Sequence, residues 1–284
     1  MKLFVFGLGY SGLAFARHAV AQGYEVVGTH REPPSTVEPG IRYITFGPGH
    51  TLPKDALDGV IGLLSTVPPT DLGDPALDAI GKYINIMERF AWVGYLSTTG
   101  VYGDRQGGLV DETSPLLPSL ERSKQRVRAE ADWLGLWKNH KIPVHIFRLA
   151  GIYGPGRSAI DSLRAGKAKR IVKPGQVFSR IHVEDIAGAL LASLAKPTPG
   201  EIYNLCDDNP AGPEEVITYA AGLLGVDPPP AIPFDQADLS PMARSFYADN
   251  KRVSNQKMKN ALGYRLKYPS YKEGLKAILS ATPG

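Results

Sequence analysis

The sequence predicts the α/β fold class, with a parallel, doubly wound sheet carrying helices on both faces, followed by a smaller C-terminal lobe. Three observations carry that expectation. Short β-branched and aromatic runs alternate with helical stretches over the first 150 residues, the pattern of successive βαβ units. The run Gly59-Val60-Ile61-Gly62-Leu63-Leu64 has no polar alternation, as a strand covered on both faces requires. After Gly151 the texture changes. Proline and glycine punctuate the chain at Gly154-Pro155-Gly156, Lys173-Pro174-Gly175 and Asp227-Pro228-Pro229-Pro230, and the helical pieces shorten.

Taken in order, strand-like runs cover residues 2–6, 25–28, 42–46, 60–64, 92–97 and 144–149. Helix-like segments cover 11–22, 75–90 and 119–139. Strands and helices of these lengths connect through right-handed crossovers, which makes the sheet parallel. Residues 181–195 read as a strand end followed by a helix, and 201–205 as one more strand. The expected organisation is therefore a first unit over 1–150 to which 180–205 return, and a small lobe over 151–179 and 206–284.

Composition bounds the function. The 284 residues are 43% hydrophobic and 21% charged, ordinary for a folded soluble protein. The net charge is +4 and the pI near 9.0, but the Lys and Arg residues are scattered. They read as solvated faces with an anionic ligand among them, and no basic stripe interleaved with aromatics argues for nucleic acid. Cys206 is the single cysteine, so an intrachain disulfide and a cysteine-rich metal site are excluded and a reducing compartment is expected. The apolar start Leu3-Phe4-Val5-Phe6 is cut at once by glycines, too short for a secretory core or a membrane span. A cytoplasmic location without membrane contact follows as the expectation.

The first strand runs into Gly7-Leu8-Gly9-Tyr10-Ser11-Gly12, a Gly-x-Gly-x-x-Gly loop that closes a strand and opens a helix. Each glycine answers a different demand. Gly7 permits the tight turn, Gly9 lets the backbone approach a pyrophosphate, and Gly12 lets helix pack closely on strand. Tyr10, Ser11 and the amides that follow present the positive end of the helix to phosphates. A Rossmann-type dinucleotide site is the reading. At the end of the second strand an Asp or Glu commonly accepts from the ribose 2′-hydroxyl of NAD. Here the strand ends Gly28-Thr29-His30-Arg31, with no carboxylate before Glu32. Thr29 and Arg31 suit a 2′-phosphate, Arg31 also suits stacking on adenine, and His30 between them is expected beside the cofactor. NADP is the expected cofactor, with NAD the alternative. Ser65, Thr66 and Val67 end the fourth strand, where ligands bind in doubly wound sheets, and are expected along the nicotinamide ribose.

Further landmarks follow in order. They are Leu96-Ser97-Thr98-Thr99-Gly100-Val101-Tyr102-Gly103, Asp111-Glu112 with Pro115 and Pro118, the run Arg148-Leu149-Ala150-Gly151-Ile152-Tyr153-Gly154-Pro155-Gly156, Ile181-His182-Val183-Glu184-Asp185 and Ile202-Tyr203-Asn204-Leu205. With the glycine loop they resemble the extended short-chain dehydrogenase/reductases, the group that includes nucleotide-sugar epimerases and dehydratases. The resemblance runs over residues 1 to 270. It implies a Rossmann-type domain with a small C-terminal substrate lobe, Ser97 and Ala150 beside the cofactor, and Thr98 in the slot that polarises a substrate oxygen. It also implies a homodimer through the helices at 75–90 and 119–139, although the Arg and Glu crowding the second argue against a dry interface.

One departure matters for the chemistry. The family's catalytic helix carries Tyr-x-x-x-Lys on one face, the lysine holding ribose and lowering the tyrosine pKa so that the phenol exchanges a proton. Counting from Pro118, or back from Glu130, those slots fall on Arg122 and Arg126. Sliding the register to Lys124 puts Leu120 in the tyrosine slot. An arginine stays protonated and cannot be that acid. The chain thus resembles the atypical branch of the group, in which Arg126 can still hold ribose or phosphate oxygens, and Lys124 reads as solvated. Tyr102 and Tyr153 are the loop tyrosines available to replace the phenol. His182, two before Glu184, reads first as structural. In the lobe Arg157, Arg180 and Arg244 suit an acidic or phosphorylated substrate, and Met242-Ala243-Arg244-Ser245-Phe246-Tyr247 suits a ligand wall. No HExxH, Cys/His cluster or nucleophile elbow supports metal or acyl-transfer chemistry. Two functions follow: an NADP-dependent oxidoreductase or epimerase-like enzyme on a small polar or sugar-like substrate, and a non-catalytic dinucleotide-binding sensor.

Overall fold

A computed structural model describes residues 1–32, 36–47 and 49–281. In chain order its strands are β1 Lys2–Phe6, β2 Glu25–His30, β3 Ile41–Thr45, β4 Val60–Ser65, β5 Trp92–Thr98, β6 Leu109–Val110, β7 Val144–Leu149, β8 Gly151–Tyr153, β9 Arg170–Val172, β10 Arg180–His182, β11 Ile202–Leu205, β12 Ala231–Pro233 and β13 Arg252–Val253. The helices are α1 Tyr10–Ala21, α2 Pro75–Ile80, α3 Ile84–Met87, α4 Glu121–His140, α5 Ala159–Arg164, α6 Val183–Ala195, α7 Pro213–Leu224, α8 Pro241–Phe246, α9 Gln256–Leu262 and α10 Tyr271–Ala281. No helix among the described residues is long and apolar enough to cross a membrane.

Seven strands form one sheet in the order β11-β7-β5-β4-β1-β2-β3, and every neighbouring pair in it is parallel. This is the Rossmann-type α/β fold, with its topological switch between β1 and β4. The central strands β1, β4 and β5 are mostly apolar because both faces are covered. Along β1, Leu3 and Val5 enter one core while Phe4 and Phe6 enter the other. Along β7, Phe147 and Leu149 join the first core and Val144 and Ile146 the second. Period-two alternation thus splits one apolar run between two interiors. On the first face α1 lies against α6, with Phe15, Ala16 and Ala19 meeting Ile186, Ala189 and Leu190. On the second, Trp133 of α4 is fully buried and stacks on Tyr95 of β5 with ring centroids 5.5 Å apart.

The helix expected over 75–90 is broken. It begins where Asp74 caps α2, its Oδ1 accepting from the amides of Ala76 at 2.9 Å and Leu77 at 3.2 Å, with Pro75 in the first turn. A 3₁₀ turn at Gly81–Tyr83 then separates α2 from α3. Gly81, which opens that turn, lowers helix propensity there. Residues 202–205 supply the sheet's seventh strand, and three two-stranded pieces lie outside it, β8 with β10, β9 with β12 and β6 with β13.

Candidate active site

A cleft of about 770 Å³ opens over the carboxyl ends of β1, β4, β5 and β7 and is closed on its far side by residues 177–180 and 245–253. Gly9, Tyr10 and Ser11 line it from the first turn of α1, Thr66 from the end of β4, Ser97 and Thr98 from β5, and Ala150 from the turn after β7.

The glycine loop is held from behind. Gly7 has φ +88°, and a Cβ there would lie 2.6 Å from Thr66 Oγ1. A Cβ on Gly12 would lie 2.1 Å from the Gly7 carbonyl oxygen. Gly9 differs: its backbone is extended, and a Cβ would meet no protein atom within 4 Å. That space is open to the cleft Gly9 lines. The Gly9 cap makes no side-chain hydrogen bond and the first turn of α1 has no acidic residue. The first intrahelical bond runs from Leu13 N to Gly9 O at 2.8 Å, so the amides of Tyr10, Ser11 and Gly12 belong to the turn a helix leaves without backbone acceptors. A cleft, an unfilled Cβ position and uncapped amides at the positive end of a dipole together fit a dinucleotide pyrophosphate.

Thr29 departs from its expected place. It is buried, its Oγ1 accepts from Gly7 N at 2.8 Å and its carbonyl accepts from Leu8 N at 2.8 Å. The side chain braces the glycine loop from behind and has no face for a phosphate. His30 Nδ1 contacts the Glu32 carbonyl, and Arg31 is exposed at the end of β2. At the end of β4, Ser65 is fully buried with its hydroxyl unpartnered among the described residues, and it does not line the cleft. Val67 packs against Gly7 instead, and Thr66, Pro68 and Pro69 form that wall.

The tyrosine and lysine slots of α4 both face the cleft as arginines. Arg126 Nη1 donates to Leu96 O at 2.7 Å and to Tyr95 Oη at 2.9 Å. Arg122 Nη2 donates to Ser245 Oγ at 2.9 Å, and its guanidinium lies 4.8 Å from the Phe246 ring centroid. Lys124 points elsewhere and pairs with Glu121 at 3.5 Å. Thr98 Oγ1 accepts from Gly100 N at 3.1 Å, which leaves the hydroxyl proton for another acceptor.

Tyr102 is not at the cleft. It is fully buried, donates to Asn204 Oδ1 at 2.7 Å and accepts from Arg148 Nη1 at 2.9 Å. Burial raises its pKa, so a packed interior excludes it from proton exchange with a ligand. Arg244 is also elsewhere, its Nη2 on Ala237 O at 2.9 Å and its guanidinium over Phe234. His182 caps α6, Nδ1 accepting from Glu184 N at 3.2 Å, and burial lowers its pKa to about 4.

Tyr153, Arg157 and Arg180 do line the cleft. Tyr153 donates to Ser270 O at 3.3 Å, and burial pushes its phenol far up. Tyr10 donates to Pro155 O at 3.0 Å and is pushed by burial to about 12, with Arg157 over its ring. Arg180 spends Nη1 on the carbonyls of Phe178 and Ala211, both at 2.9 Å.

Sequence reasoning missed the network beneath the floor. Glu130 accepts from Ser97 Oγ at 2.6 Å and from Arg148, with Nη2 at 2.7 Å and Nε at 3.0 Å. Arg148 continues to Tyr102 and Asn204, and Asn204 N donates to Glu112 Oε1 at 2.7 Å. The network fixes the end of β5 from which Ser97 and Thr98 enter the cleft. Asp249 and Lys251 were missed as well, since the 245–253 segment has no periodicity to mark it.

Residues 77–206 match the model of the NAD dependent epimerase/dehydratase family. The protein YeeZ of Escherichia coli K12 is 29% identical over 291 residues, covering 94% of this chain and 96% of YeeZ. A solved structure of a functionally unknown conserved protein from Silicibacter pomeroyi is 48% identical, covers 98% of each chain and superposes with a TM-score of 0.90. The dTDP-glucose 4,6-dehydratase of Bacillus anthracis, solved in complex with NAD, shares 20% identity over 99% of this chain and 96% of that one, with a TM-score of 0.78. The last likeness is one of fold.

Proposed function

We propose that this chain is an NADP(H)-dependent oxidoreductase or epimerase-like enzyme acting on a small polar or sugar-like substrate, a reading supported by the match of residues 77–206 to the model of the NAD dependent epimerase/dehydratase family. The observation that carries this is the continuity of the cleft, which runs from the Gly9 amide turn past Thr98 to a second wall that includes Tyr153, Arg157 and Arg180. One end suits a dinucleotide and the other has room and polar groups for a substrate.

The residues divide by position. Gly9, Tyr10 and Ser11 would hold the pyrophosphate. Arg126, fixed on Leu96 O, would hold ribose oxygens in place of the family's lysine, and Thr66, Ser97 and Ala150 would border the nicotinamide end. Bound nicotinamide supplies hydride exchange. Thr98, its oxygen already accepting from Gly100 N, would donate its hydroxyl proton to a substrate carbonyl oxygen. Arg31, exposed at the end of β2, would meet a 2′-phosphate, which makes NADP the preferred cofactor. With Arg122 in the tyrosine slot, the proton must come from another group.

A second reading, a dinucleotide-binding sensor without turnover, is favoured by one observation: neither Tyr10 nor Tyr153 offers a phenol free of a carbonyl acceptor. The test is nicotinamide absorbance on a broad panel of alcohols, aldehydes, ketones and nucleotide sugars. Turnover of any of them is expected, and NADPH binding without turnover across the panel would favour the sensor.

A further inference from the structure

We propose that Lys251 is the catalytic proton donor and acceptor for the substrate oxygen, taking the role left vacant by the missing tyrosine, and that Asp249 positions it. The proposal rests on the enzymatic reading above.

Lys251 lines the cleft, yet its side chain is only 10% exposed. Its ammonium donates to Gly103 O at 2.8 Å and to Asp249 Oδ2 at 3.1 Å. An ammonium has three donors and no acceptor, so one N–H remains for a ligand in the cleft. The anchor Gly103 follows the turn that Thr98 caps, and Thr98 is the residue proposed above to hydrogen-bond the substrate oxygen. The second anchor, Asp249, accepts from Ser119 Oγ at 2.7 Å just before α4. Lys251 is thereby tied to both elements that carry catalytic groups in this family, the end of β5 and the start of α4.

The segment around it is clamped. Asn250 O accepts from Arg105 N at 3.0 Å and Gly107 N at 2.9 Å, Asn250 N donates to Asp104 Oδ1 at 2.8 Å, and Asn250 Oδ1 accepts from Val177 N at 3.1 Å. Such fixation is what a proton-transfer group needs. Burial lowers the Lys251 pKa and outweighs Asp249 and Asp104, which favour its charged form, while Arg105 opposes that form. The cleft tyrosines move the other way.

The step balances simply. As hydride from a reduced nicotinamide reaches a carbonyl carbon, the C=O π pair moves to oxygen and takes a proton from Lys251 Nζ. The neutral amine then recovers a proton from water. In the oxidative direction the amine accepts the alcohol proton.

The test uses the full-length protein with NADPH or NADP and a panel of aldehydes, ketones, alcohols and UDP-glucose. Lys251→Met and Lys251→Arg are compared with wild type for NADPH Kd, kcat and the pH profile of kcat/KM. General acid catalysis contributes roughly 10²–10⁴-fold. Both variants are expected to keep the NADPH Kd and lose at least about 100-fold in kcat, and the arginine variant to lose one limb of the pH profile. Turnover in wild type with Lys251→Arg within tenfold overturns the Lys251 assignment and leaves the enzymatic reading standing. NADPH binding without wild-type turnover overturns both. An activity-independent check is trace acetylation by acetic anhydride followed by mass spectrometry across pH. Lys251 should titrate below the exposed Lys138, and titration at or above Lys138 contradicts the proposal.

Discussion

Replacing Gly9 and Gly12 separately by alanine distinguishes a ligand loop from a mere turn, because the two positions differ in what a methyl group meets. At Gly9 the backbone is extended and the new Cβ touches no protein atom within 4 Å. Gly9→Ala should therefore leave stability within about 0.5 kcal/mol, or raise it by up to about 1 kcal/mol through the less flexible unfolded chain. The methyl group would instead take the space proposed for the pyrophosphate. NADPH affinity should fall at least about tenfold, or about 1.4 kcal/mol. At Gly12 the Cβ would sit 2.1 Å from Gly7 O, more than 1 Å inside contact distance, and Gly7 is already pinned against Thr66. Overpacking of this kind costs about 1–3 kcal/mol, a Tm loss of roughly 2–12 °C for a chain of this size. Calorimetric titration with NADPH and thermal melts of both variants provide the two readouts. A Gly9→Ala protein that binds NADPH as wild type does would refute the placement of the pyrophosphate at this turn.

The remaining predictions concern the interior. Glu130→Ala should cost about 3–5 kcal/mol in chemical denaturation, because it strands the buried Arg148 guanidinium; Glu130→Leu with Arg148→Met should cost less than the sum of the singles, and additivity of the two would argue against a coupled pair. Asp207 is buried with Oδ2 unpartnered among the described residues, and burial raises its pKa to about 7. A carboxyl raised in the fold penalises folding above pH 7, and the penalty shrinks as pH falls toward the unfolded value. Asp207→Asn should thus stabilise the protein more at pH 8 than at pH 5, by up to about 3 kcal/mol, and an equal effect at both pH values would contradict the assignment.

Much of the fold was legible in the sequence because it rests on local periodicity. The runs at 2–6 and 60–64 became sheet strands because apolar residues fill them almost without interruption, 144–149 did so although His145 and Arg148 lie within it, and the Gly-x-Gly-x-x-Gly turn fixed the strand-to-helix junction. The register of α4 was legible through Glu130, although that residue served only as a counting mark. Its pairing with Arg148, Tyr102 and Asn204 was not legible, for those four side chains come from separate elements as far as 102 residues apart. Thr29 shows a second limit: a hydroxyl at a strand end can face ligand or loop, and only the path of Gly7 decides. Residues 75–90 show a third, where a 3₁₀ turn opening at Gly81 interrupts an otherwise helical stretch. Lys251 lies in a segment whose place is set by hydrogen bonds to distant loops.

Calorimetric titration of the wild-type protein with NADPH and, in parallel, NADH tests the central claim most directly. Micromolar binding of NADPH, tighter than NADH by about tenfold or 1.4 kcal/mol, is the predicted result, with the difference erased in Arg31→Ala. Equal affinities would contradict the 2′-phosphate assignment, and no binding of either nucleotide at millimolar concentration would contradict dinucleotide binding at the Gly7–Gly12 turn altogether.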